Sequence, residues 1–252
     1  MDISSINTNH RSEFLKVIKT LQFGEMNVVG QPLVGSNATL LVTTCFEGLT
    51  LHAIYKPDQG EQPLWDFPRN SLSKREIAAF IISYLIGWNL VPPTVFRVYK
   101  PIYGKGSLQL FIPHNPMVNF FNLPNRQENI IQQIVLFDII INNADRKAGH
   151  IIQDENGKIW LIDHGVCFHQ ESKLRTVIWD YAKMNIPEEL IIDLESLLLI
   201  LRKNENKLVI KLNKFLSSTE IFMIESRIES LIESGFYPSY EKDRRPYPWP
   251  LI

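Results

Sequence analysis

Residues Asn142 to His150 read NNADRKAGH, and residues Ile159 to Gly165 read IWLIDHG. The first stretch sets a carboxylate, Asp145, just past an apolar helical run, with Asn142-Asn143-Ala144 as the exit. The second sets Asp163 at the end of a short apolar strand. One carboxylate on a tight loop and one on a neighbouring strand end can hold a nucleophile and a metal–nucleotide in one place. The two stretches therefore point to a chain that binds ATP and a divalent metal.

Each residue also has a plainer reading. Asp145 could be a solvated loop aspartate bridged to Arg146, or Arg146 could hold the loop rigid by bonding carbonyls or a carboxylate. His150 falls five residues after Asp145, where a metal or phosphate ligand would sit, but a lone histidine is more often structural. Asp163 follows four apolar residues. A buried strand-end carboxylate must find a cation or several N–H partners, and magnesium bridging nucleotide phosphates would serve. The competing reading is an Asx-turn with His164-Gly165.

Working outward, Ile151–Gln153 and Lys158–Ile162 form an expected hairpin about Asp154-Glu155-Asn156-Gly157. Gln127–Ile141, Pro187–Arg202 and Thr219–Glu233 read as apolar-faced helices, with a shorter one before the last. The tail from Arg244 to Ile252 is too proline-rich for helix. It reads as an extended strap packed through Tyr247, Trp249 and Leu251. Toward the N-terminus the pattern turns β-rich: Met26–Val34, Ala38–Phe46 and Leu49–Lys56, then Thr94–Tyr99 and Ser107–Ile112. Between them a helix opens near Ser73 with Glu76 at capping-box spacing, and Gly87 and Pro92-Pro93 end it. Pro57–Asn70 is a loop whose Leu64, Trp65 and Phe67 need docking sites. The expected plan is α+β and two-lobed: residues 1–113 a β-rich lobe with one helix, residues 114–252 a mostly helical lobe.

At 252 residues, 45% hydrophobic, 21% charged and net charge −1, the chain is globular and carries no polyanion-binding excess. Cys45 and Cys167 offer neither a disulfide framework nor metal-ligand spacing. MDISSINTNH lacks a signal-peptide pattern, and no apolar run reaches membrane-span length. The expectation is a cytoplasmic protein without a transmembrane segment or nucleic-acid partner.

Three further features bear on a nucleotide. Lys56 ends a strand; a strand lysine facing a helix glutamate is how kinases fix a lysine on the α- and β-phosphates. Glu76 is the nearest helix acid, and capping and pairing compete for its side chain. Gly35-Ser36-Asn37 is a small-residue turn able to expose N–H groups to phosphate, though most such turns are merely hairpin turns.

Taken in order, these parts resemble the phosphatidylinositol 3- and 4-kinase-like clan of atypical kinases, especially small bacterial members. The blocks YKPDQGEQPLWDFP (55–68), REIAAF (75–80), GWNLVPPTV (87–95), NNADRKAGH and IWLIDHGVCF (159–168) carry the resemblance, which runs from Val34 to Trp249. It implies a protein-kinase-like fold using ATP with Mg or Mn. Asp145 would be the catalytic aspartate, Lys56 the phosphate lysine, Glu76 its partner and Asp163 the principal metal ligand. Gly35, Ser36, Asn37, Phe111, Ile112 and Ile162 would be further nucleotide contacts. His150 fills the slot of a metal-binding Asn, and imidazole suits magnesium poorly. Lys147 stands where lipid kinases often have His. After Gly165 the charges Glu171, Lys173 and Arg175 are few and mixed in sign, so the acceptor is expected to be a protein or small molecule rather than a phosphoinositide. The alternatives are a nucleotide-binding pseudokinase, an AMP-transferring enzyme on the same fold, and a metal-dependent hydrolase using Asp138, Asp145, His150, Asp163 and His164.

Overall fold

The structure, a computed structural model, describes residues 8–30, 39–203, 205–240 and 245–252. The chain forms two compact units: residues 1–77 with 92–112, and residues 78–91 with 113–252.

In the first unit, α1 (Thr8–Phe23) precedes β1 (Glu25–Gly30), β2 (Leu40–Phe46) and β3 (Leu49–Pro57). α2 (Leu72–Leu85) begins here, and β4 (Thr94–Tyr99), the short α3 (Lys100–Tyr103) and β5 (Gly104–Leu110) complete the unit. The strands make one antiparallel sheet in the order β1-β2-β3-β5-β4. Helix α1 was not anticipated, although Phe14, Val17, Ile18 and Leu21 lie at helical spacing. Leu21, Met26, Val42, Ala53, Tyr55 and Leu108 form the core, with Val17 and Ile18 packed against it. Arg97 satisfies the end of α1, donating to Leu21 O at 2.7 Å and Gly24 O at 2.8 Å.

Alternation in β3 buries Ala53 and Tyr55 in this core and turns Lys56 to the other face. The loop after Lys56 then organises α2. Glu61 accepts from Asn70 N at 2.8 Å and from Leu72 N at 2.9 Å, an acidic cap supplied from eleven residues upstream. Ser73 does not cap: it sits inside the helix and donates to Asp58 Oδ1 at 2.5 Å. Of the three apolar residues that needed docking sites, Phe67 is buried beneath the Arg75 guanidinium, 4.8 Å from its ring, whereas Trp65 is 93% exposed.

The second unit takes the rest of α2, then α4 (Glu128–Ile140), β6 (Ile151–Gln153), β7 (Ile159–Leu161), α5 (Glu188–Leu201), α6 (Lys207–Leu212) and α7 (Ser218–Ser234). Residues 78–91 belong here because Leu161 N bonds Leu90 O at 2.8 Å and Trp88 Nε1 bonds Asp193 at 2.7 Å. Helix α4 is apolar nearly all round and correspondingly buried. Helix α7 opens on a Ser217–Glu220 capping box and closes on Gly235 in the left-handed region. α7 packs on both α4 and α5. The β6–β7 hairpin forms as its sequence demands, with Asp154 accepting from Asn156 N, Lys158 N and Trp160 Nε1.

The C-terminal strap is held by its backbone as well as by partial side-chain packing. Tyr247 and Leu251 are more than half covered, whereas Trp249 is 73% exposed. Pro246 O accepts from Thr176 N and Trp179 Nε1, and Leu251 O accepts from Ala148 N at 2.8 Å. A proline-rich segment has few N–H groups to offer, so its carbonyls make the attachments. Among the described residues, no helix is long and apolar enough to cross a membrane.

Gly106 faces the end of β3, where a Cβ would collide with Lys56 O and meet Pro57 Cα at 2.8 Å. Gly106→Ala is therefore expected to destabilise the first unit by about 1–3 kcal/mol in urea denaturation. An unchanged midpoint would mean that the strand end yields freely.

Candidate functional site

In the first unit, Lys56 Nζ bonds Glu76 Oε1 at 2.5 Å. The Glu76 side chain is 3% exposed and the lysine 25%. A carboxylate that deep requires a cation, so pairing engages Glu76. The geometry is set locally, since Asp58 and Glu61, both in the loop after Lys56, are tied to the first turn of the helix that carries Glu76. Phe111 N continues the sheet edge by bonding His52 O at 3.0 Å, and Ile112 is buried. Gly35, Ser36 and Asn37 lie outside the described residues.

In the second unit, everything is built around Arg146, which is wholly buried. Its Nε lies 2.9 Å from Asp138 Oδ2, and Nη2 donates to Asp138 Oδ1 at 3.0 Å. Nη1 donates to Ile162 O at 3.0 Å, and Nη2 meets His164 Nε2 at 2.8 Å. A guanidinium only donates, so His164 Nε2 is the acceptor and its ring carries the proton on Nδ1. Arg146 thus bonds Asp138 and carbonyls; Asp145 is not its partner.

Asn143 completes the brace, donating to Asp138 Oδ1 at 3.0 Å and accepting from Asp145 N at 2.9 Å. Asn142 turns the chain at φ 51°, a left-handed conformation asparagine tolerates. Its amide group holds the backbone of His169, Glu171 and Lys173. The expected helix exit at Asn142-Asn143 is therefore also a clamp on the segment 169–173.

These contacts leave Asp145 half-buried, with Lys147 Nζ at 3.2 Å. Burial raises its carboxyl above the usual carboxylate range; Lys147 and Arg175 pull it back and Asp163 pushes it further up. Asp163 corrects an expectation. Its side chain is 52% exposed, so no desolvation penalty demands a cation, and the residue that is buried there is His164. Asp163 adopts φ 62°, and its Oδ2 lies 3.3 Å from His150 Nε2. Ile162 N bonds His150 O at 3.0 Å, extending the hairpin by one rung.

The second unit thus gathers Asp145, His150 and Asp163, while Lys56 and Glu76 are paired in the first. A five-ligand hydrolase centre does not form, because Arg146 engages both Asp138 and His164. The structural role of Asp138 was legible in principle: a carboxylate inside an apolar helix, eight residues before an arginine, signals a buried pair.

Comparisons bear on this geometry. The family described as Phosphatidylinositol 3- and 4-kinase matches residues 70–223. The chain is 33% identical to Protein Rv2133c of Mycobacterium tuberculosis, over 91% of this chain and 93% of that protein. It is 32% identical to the phosphatidylinositol 4-kinase gamma 4 of rice, over 42% of this chain but only 22% of the plant protein. In fold it is similar to the Helicobacter pylori proinflammatory kinase CtkA, with TM-score 0.54 and 12% identity, covering 86% of this chain and 95% of that one. The α+β architecture is a kinase-like one.

Two outcomes are expected. Arg146→Met strands the buried Asp138 charge and should cost about 3–5 kcal/mol in urea denaturation. Adding Asp138→Leu should recover most of that; equal loss in single and double variants would dismiss the pair as the brace. Asp145→Asn should stabilise the fold. The raised carboxyl favours its protonated form when folded, so wild-type stability falls as pH climbs from the usual carboxylate value of 3.8 through the folded one. Thermal melts should show variant and wild type alike in acid and the variant ahead at neutral pH.

Proposed function

The chain belongs to the phosphatidylinositol 3- and 4-kinase family, and from that premise we propose that it is an ATP- and divalent-metal-dependent phosphotransferase. The acceptor is a protein or a small molecule. The observation that carries the reading is the Lys56–Glu76 pair: a strand lysine whose ammonium is fixed by a buried helix carboxylate while part of it stays open to solvent. That is how a kinase holds a lysine for the nucleotide phosphates.

In this reading Lys56 binds phosphate and Glu76 orients it. Asp145 orients the acceptor hydroxyl and takes its proton, a task suited to a half-buried carboxylate with a raised pKa. Phe111, Ile112 and Ile162 contact the nucleotide. Asp163 and His150 would hold the metal, which when bound neutralises phosphate charge. Among the described residues no three His, Cys, Asp or Glu side chains gather into a metal cage. Two protein donors nonetheless fit a hard cation that takes its other ligands from phosphate and water. The imidazole tilts the donor set toward manganese.

A second reading, a nucleotide-binding regulatory protein without turnover, is favoured by the contact between His150 Nε2 and Asp163 Oδ2, which engages the metal carboxylate with an unusual neighbour.

Calorimetry with ATP, in magnesium and then manganese, tests the proposal. Binding should depend on metal and be lost in Asp163→Ala. Asp145→Asn should bind as wild type but lose turnover by roughly 10²–10⁴-fold; full activity would remove its assigned role. His150→Asn should shift preference toward magnesium. Absence of binding with either metal would sink the phosphotransferase reading.

A further inference from the structure

The second unit carries an open cavity of about 810 Å³, bounded by α7, residues 170–175 and the segments at 236–240 and 245–246. Neither Asp145, His150 nor Asp163 lines it. Lys173, Arg175, Arg227 and Arg245 do, and against these four cations the one carboxylate among the described lining residues is Glu171, exposed and 4.0 Å from Lys173. These charges are far apart in sequence, which is why no basic run announces them.

Arg227 is the anchor. Its Nε donates to Ile140 O at 2.8 Å and so satisfies the end of α4. Its Nη2 is shielded from solvent and has no hydrogen-bond partner among the described residues. Burial holds its pKa down to about 10, against a smaller upward pull from Cys167. Tyr237, 1% exposed, lines the same cavity with a hydroxyl that is likewise shielded and without a partner among the described residues. Burial raises its pKa, and the nearby Glu128 carboxylate raises it further. A shielded cationic donor without an acceptor is costly unless an anion meets it. In the same cavity Trp179 and Tyr240 meet edge to face, ring centroids 5.5 Å apart, and make an aromatic wall.

We infer that this cavity binds a soluble organic phosphate, its phosphate at the Arg227 guanidinium and its organic body against Trp179 and Tyr240. Several cations with bidentate donors favour phosphate over a single carboxylate. The volume is within the roughly 300–1,000 Å³ of small-molecule sites. The site is distinct from the proposed nucleotide and metal residues but connected to them. Arg175 N bonds Asn143 O and Arg146 N bonds Arg175 O, both at 2.9 Å, so the cavity wall is also a brace of the loop that carries Asp145.

The test is phenyl phosphate binding to the full chain with divalent metal chelated, read by calorimetry and thermal shift. Wild type should bind and melt higher, and phenol should do neither. Arg227→Gln should weaken binding on the order of tenfold or more. Because that change also uncaps α4, Lys173→Gln/Arg245→Gln at the cavity rim, a partly exposed lysine and an exposed arginine, is the second variant, expected to weaken binding severalfold with the fold intact. Asp163→Ala should bind as wild type, which separates this site from the nucleotide reading. No binding, binding unchanged in both Arg227→Gln and the rim variant, or binding lost in Asp163→Ala would overturn the inference. So would Arg227-dependent sedimentation with phosphatidylserine vesicles in the absence of phenyl phosphate binding.

Discussion

The second unit depends on one ion pair. Arg146 and Asp138 are both almost wholly buried, and burying two charges is worthwhile only if every remaining donor finds a partner. Arg146 meets that condition by bonding the hairpin end at Ile162 and the imidazole of His164. Three groups, the Asp138 carboxylate, Ile162 O and the His164 ring, therefore meet at a single guanidinium. Moving any of them leaves a buried donor empty, so the loop that presents Asp145 has one low-energy position. Asn143 adds a short tether between the same Asp138 and the Asp145 amide.

The first unit uses charge burial differently. Glu76 is as buried as Asp138, but its partner Lys56 keeps part of its surface in water. A fully enclosed pair braces; a half-enclosed pair orients a cation that can still reach a ligand. The cost of holding Glu76 down is offset by the loop following Lys56, whose Glu61 and Asp58 fasten the start of α2. Lysine, glutamate and the two fastening acids all lie within about twenty residues, so a local stretch of chain builds the arrangement.

In the phosphotransferase reading proposed above, the acceptor is the distinctive question, and charge distribution bears on it. Read along the chain, residues after Gly165 carry few charges of mixed sign. Folded, Lys173 and Arg175 line one cavity with Arg227 and Arg245, drawn from α7 and the tail. A sequence-run estimate of basic character misses this, because the field at a cavity sums over segments that only tertiary contacts bring together.

The sequence by itself determined most of the elements and the α+β, kinase-like plan. Strand alternation, the Asp154 turn, the proline breaks and the NNADRKAGH and IWLIDHG stretches carry local physics that survives without context. It also left Glu76 suspended between capping and pairing, placed Asp163 in the core when its neighbour His164 is there, and kept Asp138 and His164 as metal ligands in a hydrolase alternative when they serve Arg146. Helix α1 went unread although its apolar spacing was present. Only the tertiary structure decided these points, for one reason. Whether a charged side chain caps, pairs, ligates or faces water is set by desolvation, and desolvation depends on what packs around the residue rather than on what precedes it in the chain.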